Sequence, residues 1–144
     1  MATEHTECQD YCRPLYLTEE IYSDLRQAIV FNLCRSYSYQ SVGYYVSLLA
    51  SARGHKPFPS IQTIQDMKSF SIIRLVSDEL EDIIQKDLAP LQSDRFTLSI
   101  YFGSNLAKRY ARLSNHLFNM FQIPLMRAEF RRSENGWSLQ NIGA

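Results

Sequence analysis

Between residues 28 and 55 an apolar β-branched run, a polar junction and a helical pattern follow one another, and this succession constrains the fold most. Ala28-Ile-Val-Phe31 reads as a central strand. Val42, Tyr45, Val46 and Leu49 then recur at helical spacing, and Gly54 stands where a helix C-terminus needs a cap. A strand feeding into a helix suggests an α/β unit, in which ligands tend to bind at the carboxyl ends of strands, near unpaired N–H groups of a helix N-terminus. The junction carries Asn32, Arg35, Tyr37, Tyr39, Gln40, Ser41, Gly43 and Tyr44. Such a set is more polar than a simple turn requires. Arg35 offers a bidentate fork to a carboxylate or phosphate, and Gly43 permits close approach of backbone or ligand. On these residues alone, binding site and structural turn both stay open.

The rest of the chain surrounds this unit with further helices and strands. Residues 1–14 lack periodicity and end at Pro14, which suggests a flexible arm before one domain over residues 15–144. Thr18-Glu19-Glu20, followed by Ile21, Tyr22 and Leu25, predicts a short helix capped by Thr18. Residues 55–60 contain Pro57 and Pro59 and read as an extended connection. From 71 to 88, Ile72, Val76, Leu80, Ile83, Ile84 and Leu88 share one side while Asp78, Glu79, Glu81, Asp82 and Lys86 take the other. That is one amphipathic helix, stopped near Pro90. Phe96, Leu98, Ile100 and Phe102 alternate as a half-buried strand. Ser104 is then placed to cap a helix that turns Leu106, Tyr110, Leu113, Leu117 and Phe121 inward and ends at 122–124. Two closing strands, 125–132 and 137–142, flank an Asn135-Gly136 hairpin signal. The expected fold is therefore mixed α/β (α+β): about three main helices on a mixed sheet of about four strands, ending in a β-hairpin.

Composition excludes more than it selects. Fifteen acidic and fifteen basic residues cancel, so no overall field draws nucleic acid or an anionic membrane. No apolar run approaches the ~20 residues of a membrane span, and the polar, acidic start is unlike a signal peptide. The default location is cytoplasmic. Cys8 and Cys12 read as thiols on the arm, and Cys34 as a small core residue. Phosphate-binding loops, dinucleotide fingerprints, nucleophile elbows and His-Glu-x-x-His metal motifs are all missing. Arg109, Arg112, Arg127, Arg131 and Arg132 form a basic set, but Phe130 and Trp137 read first as hairpin packing residues rather than base-stacking ones. Glu129, within a strand, is the one carboxylate with a potentially interior setting, and with Arg127 and Arg131 on the same face a cross-strand charge cluster explains it equally well.

The run NLCRSYSYQSVGYYVSLLASARGH at 32–55 closely resembles the signature of the RimK-like ATP-grasp N-terminal domain family. Pro59-Ser60, Thr63-Ile-Gln-Asp66, Leu88-Ala-Pro-Leu91, Ser99-Ile-Tyr-Phe-Gly103, Pro124-Leu125 and Arg127-Ala-Glu129-Phe130 agree with it, so that the likeness spans about residues 15–142. The resemblance implies an accessory domain abutting an ATP-grasp ligase, an enzyme type that activates a carboxylate with ATP and magnesium and joins it to an amine. It implies no cofactor and no catalytic residue in this chain, ATP and magnesium belonging to an associated ligase domain in cis or in trans. The sequence ends at Ala144, where the family continues into that catalytic domain, and residues 1–14 lack the family's extra first strand. The implied role is a non-catalytic one, binding a peptide, an amino acid or a partner around Arg35–Tyr45. Two alternatives are a small stand-alone enzyme using the same polar junction and a structural oligomerisation module, with pairing into a homodimer through an open sheet edge.

Overall fold

The computed structural model describes residues 24–144; the expected arm, the Thr18-capped helix, Cys8 and Cys12 lie outside the described residues. The first unit is a strand, helix and strand: β1 (Ile29–Phe31), α1 (Val42–Ala52) and β2 (Lys56–Phe58). β1 and β2 pair in parallel, Ile29 opposite Lys56 and Phe31 opposite Phe58, as a strand–helix–strand crossover requires. Serine 41 caps α1 by accepting the Tyr44 N–H, and Gly54 follows the helix at φ +74°. The extended segment read at 55–60 supplies β2, and its Phe58–Pro59 peptide is cis. Lys56 N–H donates to Ala28 O and Asn32 N–H to Phe58 O, so the alternate residue, Pro57, faces away from β1 with no N–H to offer. A proline at that position keeps β2 an edge strand.

Three further helices lead to the second sheet: α2 (Ile61–Asp66), α3 (Phe70–Glu79) and α4 (Glu81–Leu88). The single helix read over 71–88 is thus two. Leu80 breaks it at φ −97°, ψ 10°, with its side chain buried in the core. The break lets polar groups on both sides reach one strand edge: Ser77 Oγ accepts the Leu139 N–H, and Gln85 both accepts the Trp137 N–H and donates to Trp137 O. These side chains stand where a further strand would pair, and they close that edge.

β3 (Arg95–Tyr101), β4 (Leu125–Ser133) and β5 (Gly136–Gly143) form an antiparallel sheet in that order. The hairpin and its turn at 134–135 fall as the sequence predicts. Glu129 faces Asn141 while Phe130 faces Leu139, so Gln140 is the extra residue of a bulge. Between β3 and β4 a 3-10 turn (Lys108–Tyr110) leads into α5 (Ala111–Phe121). Here three expectations are corrected. Ser104 is no helix cap; it bridges Tyr101, while Asn105 accepts the Ala107 N–H and donates to Ser99 O. Leu106, read as inward, is 96% exposed because the helix begins only after it. Phe102 likewise leaves the strand, at φ +47°, and turns half-exposed against Phe31.

The inner face of the antiparallel sheet and the helices enclose one core running from Leu98, Ile100, Met126 and Ala128 to Leu113, Leu117 and Ile84. The fold class is the expected mixed one, with its closing hairpin. The strands divide into two sheets where the sequence suggests one, and β1 is not a buried centre: Ile29 and Phe31 are 58% and 51% exposed.

Candidate functional site

The carboxyl ends of β1 and β2 lie together, and the loop from Asn32 to Ser41 emerges there before α1 begins. Asn32 organises it from within. Its side chain is 2% exposed and donates to Gly43 O at 2.7 Å and Ser47 Oγ at 2.9 Å, while accepting the Cys34 N–H at 3.3 Å. Ser47 in turn donates to Pro59 O at 2.7 Å. A buried amide is stable only when its donors and acceptor are all met. Here they are, and the amide locks α1, the loop and the β2 exit into one unit.

Tyr37 anchors the loop to the core. The ring is 3% exposed within the main hydrophobic cluster, and its hydroxyl donates to Asn32 O. Burial pushes the Tyr37 phenol well above the ordinary value, and the neighbouring Cys34 adds to the effect. Burial disfavours the charged phenolate, so this tyrosine stays a neutral hydrogen-bond donor. Lys68, at the end of α2, donates to Tyr37 O at 2.7 Å from outside. Gly43 resolves the choice between backbone and ligand approach. A Cβ there would stand 2.1 Å from Ser36 O and 2.8 Å from Cys34 Cβ. The space over Gly43 is filled by the chain's own loop.

The remaining residues of the set face outward. Arg35, Tyr39 and Gln40 are exposed, Tyr39 at 72%, and Tyr44 is half-buried. Gln40 takes the left-handed conformation, φ +63°, just before the Ser41 cap. Tyr39, Tyr44 and Tyr45 meet edge to face in series, at 5.4 Å and 5.7 Å between ring centroids. Such T-shaped contacts hold exposed rings in place. Beside them, Tyr45, Leu48, Leu49 and Ala52 line an open apolar groove of about 420 Å³ on α1. The junction thus has a bonded interior of Asn32, Tyr37, Ser41 and Gly43, and an outer rim of Arg35, Tyr39, Gln40 and Tyr44.

The family model described as RimK-like ATPgrasp N-terminal domain matches residues 14–144. The chain belongs to the RimK-like ATP-grasp N-terminal domain family. The family implies association with an ATP-grasp ligase domain. No curated protein and no solved structure matches the chain. Within this RimK-like N-terminal domain, no group of three His, Cys, Asp or Glu side chains among the described residues comes together to hold a metal ion. No helix among them is long and apolar enough to cross a membrane.

Sequence reasoning found the junction but missed Ser47 and Lys68. Ser47 carried a signal, being a polar residue on the inward side of α1 between Val46 and Ala50. Lys68 had none, since its partner is a backbone carbonyl distant in sequence.

Proposed function

We propose that this domain is a non-catalytic recognition unit that receives a substrate or partner, a peptide or amino acid by class, on the Arg35–Tyr45 rim. It does so for an ATP-grasp ligase domain acting in cis or in trans, in the cytoplasm. ATP and magnesium are handled by that ligase domain. The observation that supports this reading is the two-sided junction. Arg35, Tyr39, Gln40 and Tyr44 stand outward on a loop whose back is fixed by Asn32, Tyr37 and Gly43. Preorganised polar and aromatic groups bind with less ordering penalty than mobile ones. Arg35 would take a carboxylate, and the tyrosines would pack against an apolar or backbone portion.

Amide chemical shifts of the chain, followed while amino acids and dipeptides are added, test this. Changes confined to residues 35–45, and lost in Arg35→Ala without a change in melting temperature, support the reading. Shifts that cluster elsewhere overturn it, as does ATP hydrolysis by this chain alone.

A second reading, pairing of two copies, draws on a separate observation. Phe31 packs on Phe58 at 5.7 Å and on Phe102 at 5.3 Å, yet Ile29, Phe31, Leu33 and Phe102 stay substantially exposed where the two sheets meet. Exposed apolar residues gathered in this way mark interaction surfaces. A strictly monomeric mass in light scattering would remove the homodimer.

A further inference from the structure

The outer face of the antiparallel sheet is built from other elements than the junction, and its register fixes what stands on it. Arg95 lies directly opposite Arg131, Thr97 opposite Glu129 and Ser99 opposite Arg127. On the far side Glu129 faces Asn141 and Arg131 faces Ser138. Arg95, Thr97, Arg127, Glu129, Arg131 and Asn141 are exposed. Among the described residues the ion pair is Arg132–Asp94, and it involves none of the three face arginines. Like charges directly opposite one another weaken an antiparallel pair. Asp94, beside Arg95 in sequence, is already held by Arg132 through Nε and Nη2, and Glu129, next to the rung on β4, forms no ion pair with either arginine. Three guanidiniums set around one carboxylate, Glu129, therefore leave this face net positive, spaced by a sheet rather than by a loop.

We infer that this face docks an acidic polypeptide segment in extended form, with its carboxylates held by Arg127 at one end and by the Arg95–Arg131 rung at the other. The spacing selects an extended chain. Arg127 and Arg131 lie four positions apart on β4, about 13 Å at the strand rise, which is also the reach of side chains four apart in an extended peptide. Guanidinium forks match carboxylates bidentately, and Thr97 and Asn141 offer neutral polar groups between the two charged ends. Nucleic acid fits less well. Glu129 stands between the arginines and would meet a phosphate of any continuous backbone laid along the same line. Tyr101 is the exposed aromatic on this face, too little for the stacking on which single strands depend.

Fluorescence anisotropy of the full chain at low salt tests the inference. The probes are a labelled peptide carrying Asp at every fourth residue, its Asn counterpart, and a single-stranded oligonucleotide of similar length. The Asp peptide binds and the Asn peptide does not. Arg127→Gln and Arg131→Gln each weaken binding about tenfold, the size of one charged hydrogen-bonded contact. Arg112→Gln, on α5, leaves it unchanged. Thermal melts keep folding separate from binding: Arg95→Gln relieves the like-charge rung, so its midpoint rises while its affinity falls. Absence of Asp-peptide binding, equal binding of the Asn peptide, tighter binding of the oligonucleotide, or unchanged affinity in the combined R95Q/R127Q/R131Q variant would each overturn it.

Discussion

On β4 every inward side chain from Met126 to Phe130 is buried against helices, whereas on β1 both Ile29 and Phe31 stand half in solvent. The two strands belong to one domain, yet different forces hold them. The antiparallel sheet relies on apolar burial along a whole face, with Ser77 and Gln85 closing its β5 edge. The parallel pair is three residues long on each side and relies on directed bonds: Asn32 to Gly43 and Ser47, Ser47 to Pro59, Tyr37 to Asn32. Burial is non-directional and tolerates repacking. A hydrogen-bonded hub does not, because each lost partner leaves a buried polar atom unmet. The lesson is that the region displaying the exposed Arg35–Tyr45 rim is held by few, specific bonds, while the region supplying bulk stability is not.

That contrast can be broken at three depths. Leu117→Ala, in the fully buried centre of the core, should lose about 2–5 kcal/mol in chemical denaturation. The loss should be global, lowering protection of every slowly exchanging amide. If β3–β5 keep their protection, the core is not the common support.

Gly43→Ala should have the next effect. Its new Cβ collides with the Ser36 carbonyl, and overpacking of this kind costs about 1–3 kcal/mol. Here the damage should be local: amide exchange accelerates over residues 32–47 while the antiparallel sheet is unchanged. Uniform acceleration would show that the two regions unfold as one.

Tyr37→Phe should be mildest, at about 0.5–1.5 kcal/mol from the hydrogen bond to Asn32 O. It also carries a pH signature. Because the folded phenol titrates above the unfolded value of 10.0, the native state retains a proton that the unfolded chain releases. The stability from this difference is complete below about pH 10 and is lost as pH rises further. Tyr37→Phe removes that share of the alkaline loss. Denaturation midpoints of both proteins that fall in parallel above about pH 10 would count against a buried, neutral Tyr37.

Local pattern alone sufficed for much of this molecule. Alternation along 95–101, the Asn-Gly turn, and the helical recurrence from Val42 to Leu49 are short-range signals, and each element formed where its signal lies. Leu106 and Phe102 escaped that logic. Periodicity says that an apolar residue prefers burial, and it does not say when a helix begins or a strand ends. The same holds for the helix read across Leu80, whose break depends on polar partners in β5 that are remote in sequence.

For the junction, the sequence by itself determined that a strand meets a helix through an unusually polar, tyrosine-rich loop, and that this pattern is of the RimK-like N-terminal type. Only the tertiary structure decided which polar residues turn inward. Asn32, Tyr37 and Gly43 are committed to one another and to Ser47, and Arg35, Tyr39 and Gln40 are left to the outside. The physical reason is satisfaction of buried groups. A side chain's chemistry lists the bonds it can make, but which of them it makes depends on neighbours that only folding brings within reach.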